Sequence, residues 1–584
     1  MIRDAERPYA QGIAHGLSSM MKNNDLAATN MRWALTLIDG LASAGVVHAV
    51  ISPGSRSTPL ALACTHHPGV TTHVVLDERS AAFFALGLAK ADNRPVALVG
   101  TSGSAPANWF PAVIEANYGA VPLILLSADR PPELRECGAN QTVDQARLFG
   151  GHVRFAFDLG VAESSLAALR HVAQRARQAV DESRWPMPGP VHLNVPLREP
   201  LTPTMLPEFA GAWANAPAIY PRLMPPGHAV ARLAGELSGQ PGVIVCGAAV
   251  YPDAFPAAVA ALAAKLDCPL LADPLSNLRF GSHDRSRVLT RYDAFLRNRD
   301  FAAGHRPAWV LRFGALPVSK SLQQYLAAQD AARHILVEPH GRWPDPLHLS
   351  NDLFHADAAA LCEALLGMEC NAAAPVWMAD FIQQEKRAAD CAAPLPMEAE
   401  IVRVLLNCLP ADALLFSGNS MPIRDLDSFS GSAEKPLRIV ANRGASGIDG
   451  NVSTALGMAQ SGTRKVVALL GDLACCHDSG GLLAARGLEV TLVVLNNGGG
   501  GIFGYLPQAG LASFERLWLT PAGLDFERMA LLYGLAFRRV AEVQDFEEAL
   551  TLALTQPGAK LIEVRVNREE SLFCHRSYWA ALEQ

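Results

Sequence analysis

The sequence predicts an α/β protein made of three tandem domains, each with a doubly wound parallel sheet. Short apolar, β-branched runs alternate with segments whose apolar residues recur at helical spacing, which is the pattern of βαβ units. Two proline-rich stretches, residues 196–226 and about 371–397, interrupt this alternation. The predicted domains are therefore residues 27–200, 227–370 and 398–584. Residues 1–26 have weak periodicity and are predicted to form a flexible N-terminal extension.

The first predicted domain opens with a helix over residues 31–44, where Trp33, Ile38 and Leu41 share the apolar spacing. The predicted strands that follow are residues 46–51, 72–76, 96–99 and 123–127. The predicted helices between them are residues 59–64, 80–91 and 107–118. Strands that alternate with helices in this way favour a parallel sheet, which ends near Val195.

The other two domains repeat the alternation. In the middle domain the predicted strands are residues 243–246, 270–272, 309–313 and 334–337, and the predicted helices are residues 254–266 and 321–328. In the last domain, two buried strands at residues 466–470 and 490–495 flank a predicted helix over residues 482–487.

Composition and charge exclude several classes of protein. The chain has 584 residues, of which 50% are hydrophobic and 18% charged, which is typical of globular domains with ample cores. Its net charge of −7 gives no reason to expect a nucleic-acid partner. No apolar run is long enough to span a bilayer, and residues 1–25 lack the apolar core of a signal peptide. The 11 cysteines form no CxxC pair, so we predict a reducing, cytoplasmic compartment.

The stretch from Gly471 to Phe503 carries the strongest chemical signal. Asp472 and Asn497 each follow an apolar run, so each is expected at the carboxyl end of a strand. Neighbouring strand ends lie about 5 Å apart and open onto one crevice, so these two side chains can share a small cation. All-oxygen ligands favour Mg²⁺ or Ca²⁺. The glycines at 498–501 let the backbone approach a ligand, although ordinary turn chemistry is the alternative for the Gly-Asp and Asn-Gly pairs.

In the first domain, Glu78 follows a strand-like run and precedes the helix expected from Ser80. It is therefore predicted to lie at a strand end that opens onto a crevice. The alternative is that Asp77 and Glu78 simply cap the helix, because acidic side chains favour a helix N-terminus.

The sequence SPGSRSTPLALA, which begins at Ser52, predicts a strand end, a turn and a helix capped by Ser57 or Thr58. Ser55 and Arg56 then lie beside a helix N-terminus, which suits an anion. The Arg56 guanidinium can bind a carboxylate through two parallel hydrogen bonds.

A further strand places Arg130 and Gln141 in the same predicted crevice. Two arginines near strand ends suit a substrate that carries carboxylates. The alternative is a surface arginine paired with Glu133 or Glu136.

Several of these segments resemble a known family. The Gly-Asp and Asn-Asn arrangement resembles the magnesium–diphosphate motif of thiamine diphosphate (ThDP) enzymes, with Leu473 where glycine is usual. SPGSRSTPL, LDER, TSGSAPAN, SADRPPEL and CGANQ in the first domain, with GNSMPIRD and NRGASGIDG in the last, are similar to signature segments of the 2-succinyl-5-enolpyruvyl-6-hydroxy-3-cyclohexene-1-carboxylate (SEPHCHC) synthase, or MenD, family. The resemblance covers roughly residues 30–584 and is thin in the middle domain. It implies the ThDP-binding fold of the pyruvate decarboxylase-like enzymes, with a pyrimidine-binding first domain and a diphosphate-binding last domain.

The resemblance also implies a cofactor site. The implied residues are Glu78, Ile448, Gly471, Asp472, Asn497 and Gly499. Glu78 is implied to hydrogen-bond the aminopyrimidine ring and so activate the cofactor. Asp472, Asn497 and the carbonyl of Gly499 are implied to hold Mg²⁺ or Mn²⁺ against the diphosphate. Ile448 is implied to support the bent form of the cofactor, which aligns its own base with the proton to be removed.

The implied substrate-binding residues are Ser55, Arg56, Arg130, Gln141, Lys320, Ser420, Arg424, Arg443 and Phe503. By resemblance, Ser420, Arg424 and Arg443 bind the carboxylate that comes from 2-oxoglutarate. Arg56, Arg130, Gln141 and Lys320 are implied to face isochorismate. A solvated lysine at a helix start is the alternative for Lys320, and core packing is the alternative for Phe503.

The implied reaction decarboxylates 2-oxoglutarate and adds the succinyl unit to isochorismate by 1,4-addition, a step of menaquinone and phylloquinone biosynthesis. In the family, the two halves of ThDP bind different subunits, so a homodimer or homotetramer is implied, with no bound flavin. The alternative enzyme is another ThDP-dependent carboligase or decarboxylase, such as an acetolactate synthase relative. A catalytically silent binding protein is a third hypothesis, against which the retained Glu78, Asp472 and Asn497 argue.

Overall fold

The computed structural model describes residues 7–206 and 218–583, with side chains from Asp25 onward. The chain divides into two compact units, the first of residues 1–220 with 456–461 and the second of residues 221–455 with 462–584. The predicted flexible extension, residues 1–26, begins outside the described residues and stays a prediction. The described backbone opens within it, on helix α1 (Arg7–Ser43).

The first unit contains one six-stranded parallel sheet with strand order β2-β1-β3-β4-β6-β5. Its strands are β1 (His48–Ile51), β2 (Thr71–Val74), β3 (Val96–Gly100), β4 (Leu123–Asp129), β5 (Ala156–Asp158) and β6 (Pro190–Pro196). Its other helices are α2 (Thr58–His66), α3 (Glu78–Asp92), α4 (Phe110–Gly119) and α5 (Leu166–Arg184). Every residue of β3, β4 and β6 is buried, because helices cover both faces of the sheet.

The second unit contains two sheets, of which the first is parallel with order β12-β11-β10-β7-β8-β9. Its strands are β7 (Gly242–Cys246), β8 (Leu270–Ala272), β9 (Val288–Leu289), β10 (Trp309–Phe313), β11 (Arg333–Val337) and β12 (Asp352–Phe354). Its helices are α6 (Gly227–Leu237), α7 (Phe255–Leu266), α8 (Tyr292–Phe295), α9 (Arg299–Gly304), α10 (Lys320–Ala327), α11 (Ala358–Leu366) and α12 (Pro375–Ala389).

This strand order is that of the dinucleotide-binding folds, whose ligand crevice lies where the order reverses, between β7 and β10. Here Tyr251 lies at that position, donates a hydrogen bond to the Gly247 carbonyl at 2.8 Å and stacks on Phe255 at 4.2 Å. A Cβ on Gly314 would lie 2.6 Å from the Tyr251 hydroxyl.

The last sheet is also parallel, with order β14-β13-β15-β16-β18-β17. Its strands are β13 (Leu414–Ser417), β14 (Arg438–Ala441), β15 (Val466–Gly471), β16 (Val490–Asn496), β17 (Ala536–Val540) and β18 (Ala559–Arg565). Its helices are α13 (Met397–Cys408), α14 (Met421–Phe429), α15 (Asn451–Gln460), α16 (Asp472–His477), α17 (Phe526–Tyr533), α18 (Val543–Thr555) and α19 (Arg568–Glu583). Numbered within each sheet, this order is identical to that of the first sheet. Its reversal point lies between β13 and β15, where a ligand is expected at the carboxyl ends of the strands.

A buried arginine joins the two sheets of the second unit. Arg279 is 0% exposed, and each of its three guanidinium nitrogens donates hydrogen bonds. It donates to the Ala272 carbonyl, to the carbonyl of Asp427 on α14 and to the Asp427 carboxylate at 2.6 Å. Tyr292 also donates to that carboxylate, at 2.7 Å. A buried charge pair of this kind is costly to open because either partner alone is left desolvated.

The sequence predictions hold for the fold class and for the strands named above, with one wrong element. Residues 482–487 are not an α-helix: α16 occupies Asp472–His477, and a 3-10 helix spans Ser479–Ala485. Its two adjacent glycines have low helix propensity, and a Cβ on Gly481 would lie 2.2 Å from the Ser453 hydroxyl. The proline- and alanine-rich stretch after residue 371 contains the 15-residue helix α12, which begins at Pro375. In the described part of the chain, no helix combines the length and apolar character needed to cross a bilayer.

Candidate active site

The strongest candidate site lies at the carboxyl ends of β15 and β16, which are neighbouring parallel strands. Gly471 pairs in register with Leu495, so the two strands end side by side. Asp472 begins α16 directly after β15, and Asn497 follows β16. The structure therefore brings these two predicted residues to one edge of the sheet, next to its reversal point.

Asp472 is a buried carboxylate, 4% exposed. Its Oδ1 accepts a hydrogen bond from the Leu473 N–H at 2.7 Å, and its Oδ2 accepts one from the Gly499 N–H at 2.8 Å. Burial raises the pKa of Asp472 to about 6, although these backbone hydrogen bonds act in the opposite direction. A bound cation would favour the charged form.

The side-chain oxygen of Asn497 is buried and has no hydrogen-bond partner among the described residues. An unsatisfied buried acceptor costs about 1–3 kcal/mol, so this oxygen suits a ligand that the protein is built to receive. The Gly499 carbonyl accepts a hydrogen bond from the Gly501 N–H at 2.9 Å and keeps one lone pair. One carboxylate, one amide oxygen and one carbonyl are hard oxygen donors, which fit Mg²⁺ or Mn²⁺.

The glycine run after Asn497 is required by its close contacts. Gly499 has φ +140°, and a Cβ there would lie 2.2 Å from the Leu519 carbonyl oxygen. A Cβ on Gly500 would lie 2.5 Å from the Trp518 carbonyl and 2.8 Å from the Phe503 ring. Phe503 thus packs over the glycine run in a 3-10 helix, Gly501–Tyr505, and is half-buried.

Asn419, which the sequence analysis did not single out, organises the neighbouring loops. It is 2% exposed and follows β13. Its Nδ2 donates to the carbonyls of Asn442 at 2.8 Å and Gly447 at 2.6 Å, and its Oδ1 accepts from Arg443 at 2.8 Å. The carbonyl of Ser420 accepts from the Arg424 guanidinium at 2.6 Å. Asn419 therefore gathers two loops that the sequence separates by more than 20 residues.

Three predicted substrate residues, Ser420, Arg424 and Arg443, consequently lie together at this edge, with Ile448 in the loop that Asn419 holds. Ile448 is 37% exposed, so its side chain is accessible from that loop. Ser420 has φ +74°, a conformation that is strained for a residue other than glycine and common at functional sites.

In the first unit, Glu78 is the first residue of α3 and is half-buried. Asp77 caps this helix, because its carboxylate accepts a hydrogen bond from the Ser80 N–H at 3.1 Å. The helix begins two residues earlier than predicted, and the preceding strand ends at Val74. Helix capping therefore explains Asp77, whereas Glu78 does not supply the cap and its role is not explained by capping.

Arg130 and Gln141 form one cluster, as the sequence predicted. The Arg130 guanidinium donates to the Ser102 hydroxyl and, at 2.6 Å, to the Gln141 carbonyl. The Gln141 amide donates to the Ser102 carbonyl at 2.9 Å. Glu133 pairs instead with Arg198 at 2.6 Å, so the proposed surface pairing of Arg130 with Glu133 is wrong.

Arg56 lies close to this cluster, since its charge helps to lower the pKa of Arg130, after the larger effect of burial. Arg56 is 6% exposed and donates to the Leu197 carbonyl at 3.0 Å and to the Glu199 carboxylate at 2.6 Å. In this structure the carboxylate that Arg56 binds is therefore that of Glu199. Neither Ser57 nor Thr58 caps α2; their hydroxyls donate to the carbonyls of Gly54 and Ser55.

Lys320 is the exposed first residue of α10, and Ser319 caps this helix through the Leu322 N–H at 3.1 Å. This position agrees with the solvated helix-start alternative and leaves its ammonium accessible to an anion.

Comparison with known proteins agrees with this geometry. Three family models match: the N-terminal TPP-binding domain of thiamine pyrophosphate enzymes at residues 31–148, their middle domain at 226–417 and their C-terminal TPP-binding domain at 428–564. Thiamine pyrophosphate is ThDP by another name. Among solved structures, a ThDP-dependent 4-hydroxybenzoylformate decarboxylase of Rhodococcus jostii RHA1 superposes with a TM-score of 0.69 at 20% identity, covering 92% of this chain and 99% of that one. This likeness concerns the fold.

The fold and the three domain matches together define a ThDP-dependent enzyme. A relative from Dechloromonas aromatica is 47% identical to this chain, and the match covers 93% of this chain and 99% of the relative. A second relative, from Geobacillus kaustophilus, is 46% identical, and the match covers 94% of this chain and 97% of the relative. Both are SEPHCHC synthases. The chain belongs to the SEPHCHC synthase family, which confirms the resemblance found in the sequence.

Proposed function

We propose that this enzyme decarboxylates 2-oxoglutarate and adds the succinyl unit to isochorismate, releasing CO₂ and forming SEPHCHC for menaquinone biosynthesis. The reaction is supported by a SEPHCHC synthase that is 47% identical to this chain over nearly its full length. One observation at the site carries the proposal: the buried side-chain oxygen of Asn497 has no hydrogen-bond partner among the described residues, and the buried carboxylate of Asp472 lies at the same edge of the sheet.

The metal site follows from these donors. Asp472, Asn497 and the Gly499 carbonyl would hold Mg²⁺ or Mn²⁺, and the cation would stabilise the Asp472 carboxylate, whose pKa burial raises. The glycine run lets the backbone N–H groups approach a diphosphate. Bound ThDP supplies a nucleophilic carbon and stores the electrons released with CO₂.

Glu78 would bind the aminopyrimidine end of the cofactor and hold a proton at its ring nitrogen. Its place at the first position of α3, beside an aspartate that already caps the helix, leaves its carboxylate available for this role. Ile448 would support the cofactor from the loop that Asn419 holds.

The cationic residues would select the substrates by charge. Ser420, Arg424 and Arg443 would bind the carboxylate of 2-oxoglutarate remote from its keto group, and Phe503 would exclude water on one side. The residues proposed to bind isochorismate are Ser55, Arg56, Arg130, Gln141 and Lys320. Arg56 would exchange Glu199 for a substrate carboxylate, which is an exchange of equal charges.

We further propose that Glu78 of one chain and Asp472 of another complete each site, so that a homodimer is the smallest active form and a homotetramer contains two such pairs. The cytoplasm remains the proposed compartment, because scattered cysteines without a CxxC pair suit a reducing environment.

Purified protein tests the proposal. CO₂ release from 2-oxoglutarate should require isochorismate, ThDP and Mg²⁺, each shown by omission. Turnover of pyruvate without isochorismate would favour an acetolactate synthase-like enzyme instead. No turnover with either oxo acid, in protein that binds ThDP, would favour a silent binding protein.

A further inference from the structure

A buried polar cluster lies between helices α13, α14 and α19 of the last domain, and its residues take no part in the proposed reaction. His575 on α19 and Asp425 on α14 are each 1% exposed, and Glu398 on α13 is 5% exposed. His575 Nε2 lies 3.3 Å from the Asp425 carboxylate. Ser571 donates to Glu398 at 2.6 Å, and the Tyr505 hydroxyl lies 3.0 Å from His575 Nδ1.

The hydrogen-bond pattern favours a protonated His575. Nε2 lies 3.3 Å from the Asp425 carboxylate, and Nδ1 lies 2.9 Å from the Ser571 carbonyl and 3.0 Å from the Tyr505 hydroxyl. Only an imidazolium donates to the carboxylate and the carbonyl at once, and the Tyr505 hydroxyl can then accept from the same Nδ1–H. One oxygen each of Asp425 and Glu398 has no hydrogen-bond partner among the described residues. Burial and the charge of Asp425 raise the pKa of Glu398, whereas the Asp425 carboxylate beside the ring favours a positive charge on His575. Burial alone would lower the pKa of His575, but the hydrogen bond to Asp425 and the charges of both acids raise it above its ordinary value.

The cluster joins two segments that carry predicted substrate residues. Asp425 directly follows Arg424 on α14. Tyr505 ends the 3-10 helix Gly501–Tyr505, two residues after Phe503. Helix α19 holds the same segment a second time, because Arg576 donates to the Gly504 carbonyl at 3.1 Å.

We propose that His575 is a positioning residue: as an imidazolium it holds the Gly501–Tyr505 segment against α14 and so fixes the distance between Phe503 and Arg424. This inference rests on the proposed function, in which both residues face the oxo acid. The charged and titratable groups around His575 are Asp425 from α14, Glu398 from α13, Tyr505 from the 3-10 helix, Arg576 from α19 itself, and Arg297, which lies over the neighbouring Trp579.

Kinetics test this role with a variant that removes one hydroxyl. Tyr505→Phe keeps the ring and loses the hydroxyl that faces His575, so the KM for 2-oxoglutarate should rise about tenfold, the usual loss for a hydrogen bond to a charged group, while kcat changes less. Tyr251→Phe is the matched control, because it removes a half-buried hydroxyl that donates to the Gly247 carbonyl in the middle domain. Equal KM values in Tyr505→Phe and Tyr251→Phe would overturn the proposal.

A second readout needs neither substrate nor cofactor. Trp579 lies 5.6 Å from both the His575 and the Tyr505 rings, so its fluorescence reports the charge of His575. Wild-type emission should change with pH through a transition above about 6.5. His575→Gln should abolish the transition, as should Trp579→Phe, which removes the reporter.

The relevant signal is the part of the transition that Trp579→Phe removes, because His305 also lies beside a tryptophan, Trp377, at 5.9 Å. Persistence of that part in His575→Gln, or its absence in wild type, would overturn the protonated state. Should His575→Gln fail to fold, Tyr505→Phe with the Trp579 readout decides, with a lowered midpoint expected and an unchanged one contradicting the proposal. Failure of the proposed function appears separately, as wild-type protein that shows the fluorescence transition yet releases no CO₂ from 2-oxoglutarate.

Discussion

The carboxylate of Asp472 accepts a hydrogen bond from the Gly499 N–H at 2.8 Å, which ties the end of β15 to the glycine run after β16. The same contact orients the Gly499 peptide beside the unpartnered oxygen of Asn497. The three oxygen donors of the proposed metal site are thus arranged by the protein before any metal binds, which lowers the cost of binding.

Asp472→Asn should weaken Mg²⁺ binding by about 100-fold, because it replaces the one charged ligand of the proposed site with a neutral amide. The amide keeps the size of the side chain, so the fold should persist. Isothermal titration with Mg²⁺ and ThDP measures the effect. Asp545→Asn, which removes an exposed charge at the start of α18, is the control and should bind as wild type does. Equal affinities in the two variants would contradict the metal site.

Glu78→Gln should abolish turnover while the protein still folds, because a neutral amide cannot hold the proton at the cofactor ring. Asp77→Asn is the matched control: the same change one residue earlier keeps a good helix cap and should keep most of the activity. CO₂ release and circular dichroism of both variants check this. Wild-type-like rates in Glu78→Gln would remove the assigned role.

Asn419→Ala should raise the KM for 2-oxoglutarate about tenfold and lower the free energy of unfolding by about 2 kcal/mol. It removes an acceptor from Arg443 and a donor shared by the carbonyls of Asn442 and Gly447. Asn407→Ala, at an exposed position of α13, is the control. If Asn419 acts through Arg443, the KM effect should vanish in an Arg443→Met background; a full additional loss there would argue against this coupling.

Mixing two inactive variants should restore activity if each site draws on two chains. Glu78→Gln and Asp472→Asn protein, unfolded and refolded together, should recover about a quarter of wild-type turnover, since half of the random dimers are mixed and each has one intact site. Each variant refolded alone provides the baseline. No recovery in mixtures that contain mixed dimers would place both residues of a site on one chain.

His192 should make the first unit acid-sensitive. This side chain is 1% exposed, contacts the Ser127 hydroxyl at 2.7 Å, and has its pKa lowered to about 4 by burial. A depressed histidine pKa means that the unfolded chain binds the proton first. Its contribution is therefore complete above about pH 6.5 and is lost as the pH falls towards 4, by about 3 kcal/mol.

Thermal unfolding measured from pH 7 to pH 4 checks this expectation. His192→Gln should flatten the acid loss of Tm, whereas His66→Gln, at an exposed position on α2, should not. Identical pH profiles for the two variants would assign the acid sensitivity to other groups.

Asp472 and Asn497 were predictable because their chemistry is local: each follows an apolar run, and parallel strands end on one edge. Asn419 was not, because its role depends on two loops that meet only in the folded chain. The partner of Arg56 was missed for the same reason, since Glu199 lies 143 residues away. His575 gives no sequence signal either, because one histidine in a C-terminal helix carries no pattern and its partners come from three other elements.

Helix α12 lies in a stretch whose prolines suggest an interruption, but a proline is well accommodated at a helix start. The segment after α16 is a 3-10 helix, and not the predicted α-helix, because its two adjacent glycines have low helix propensity.

The burial of Arg279 has a mechanical consequence. If the two sheets of the second unit moved past each other, the buried Arg279 guanidinium would lose its hydrogen bonds to Asp427 and would be left in a dry interior without its charged partner. The second unit is therefore expected to move as one rigid body during turnover. Within this unit, any opening that admits substrate or lets product leave is therefore expected in the loops at the strand ends.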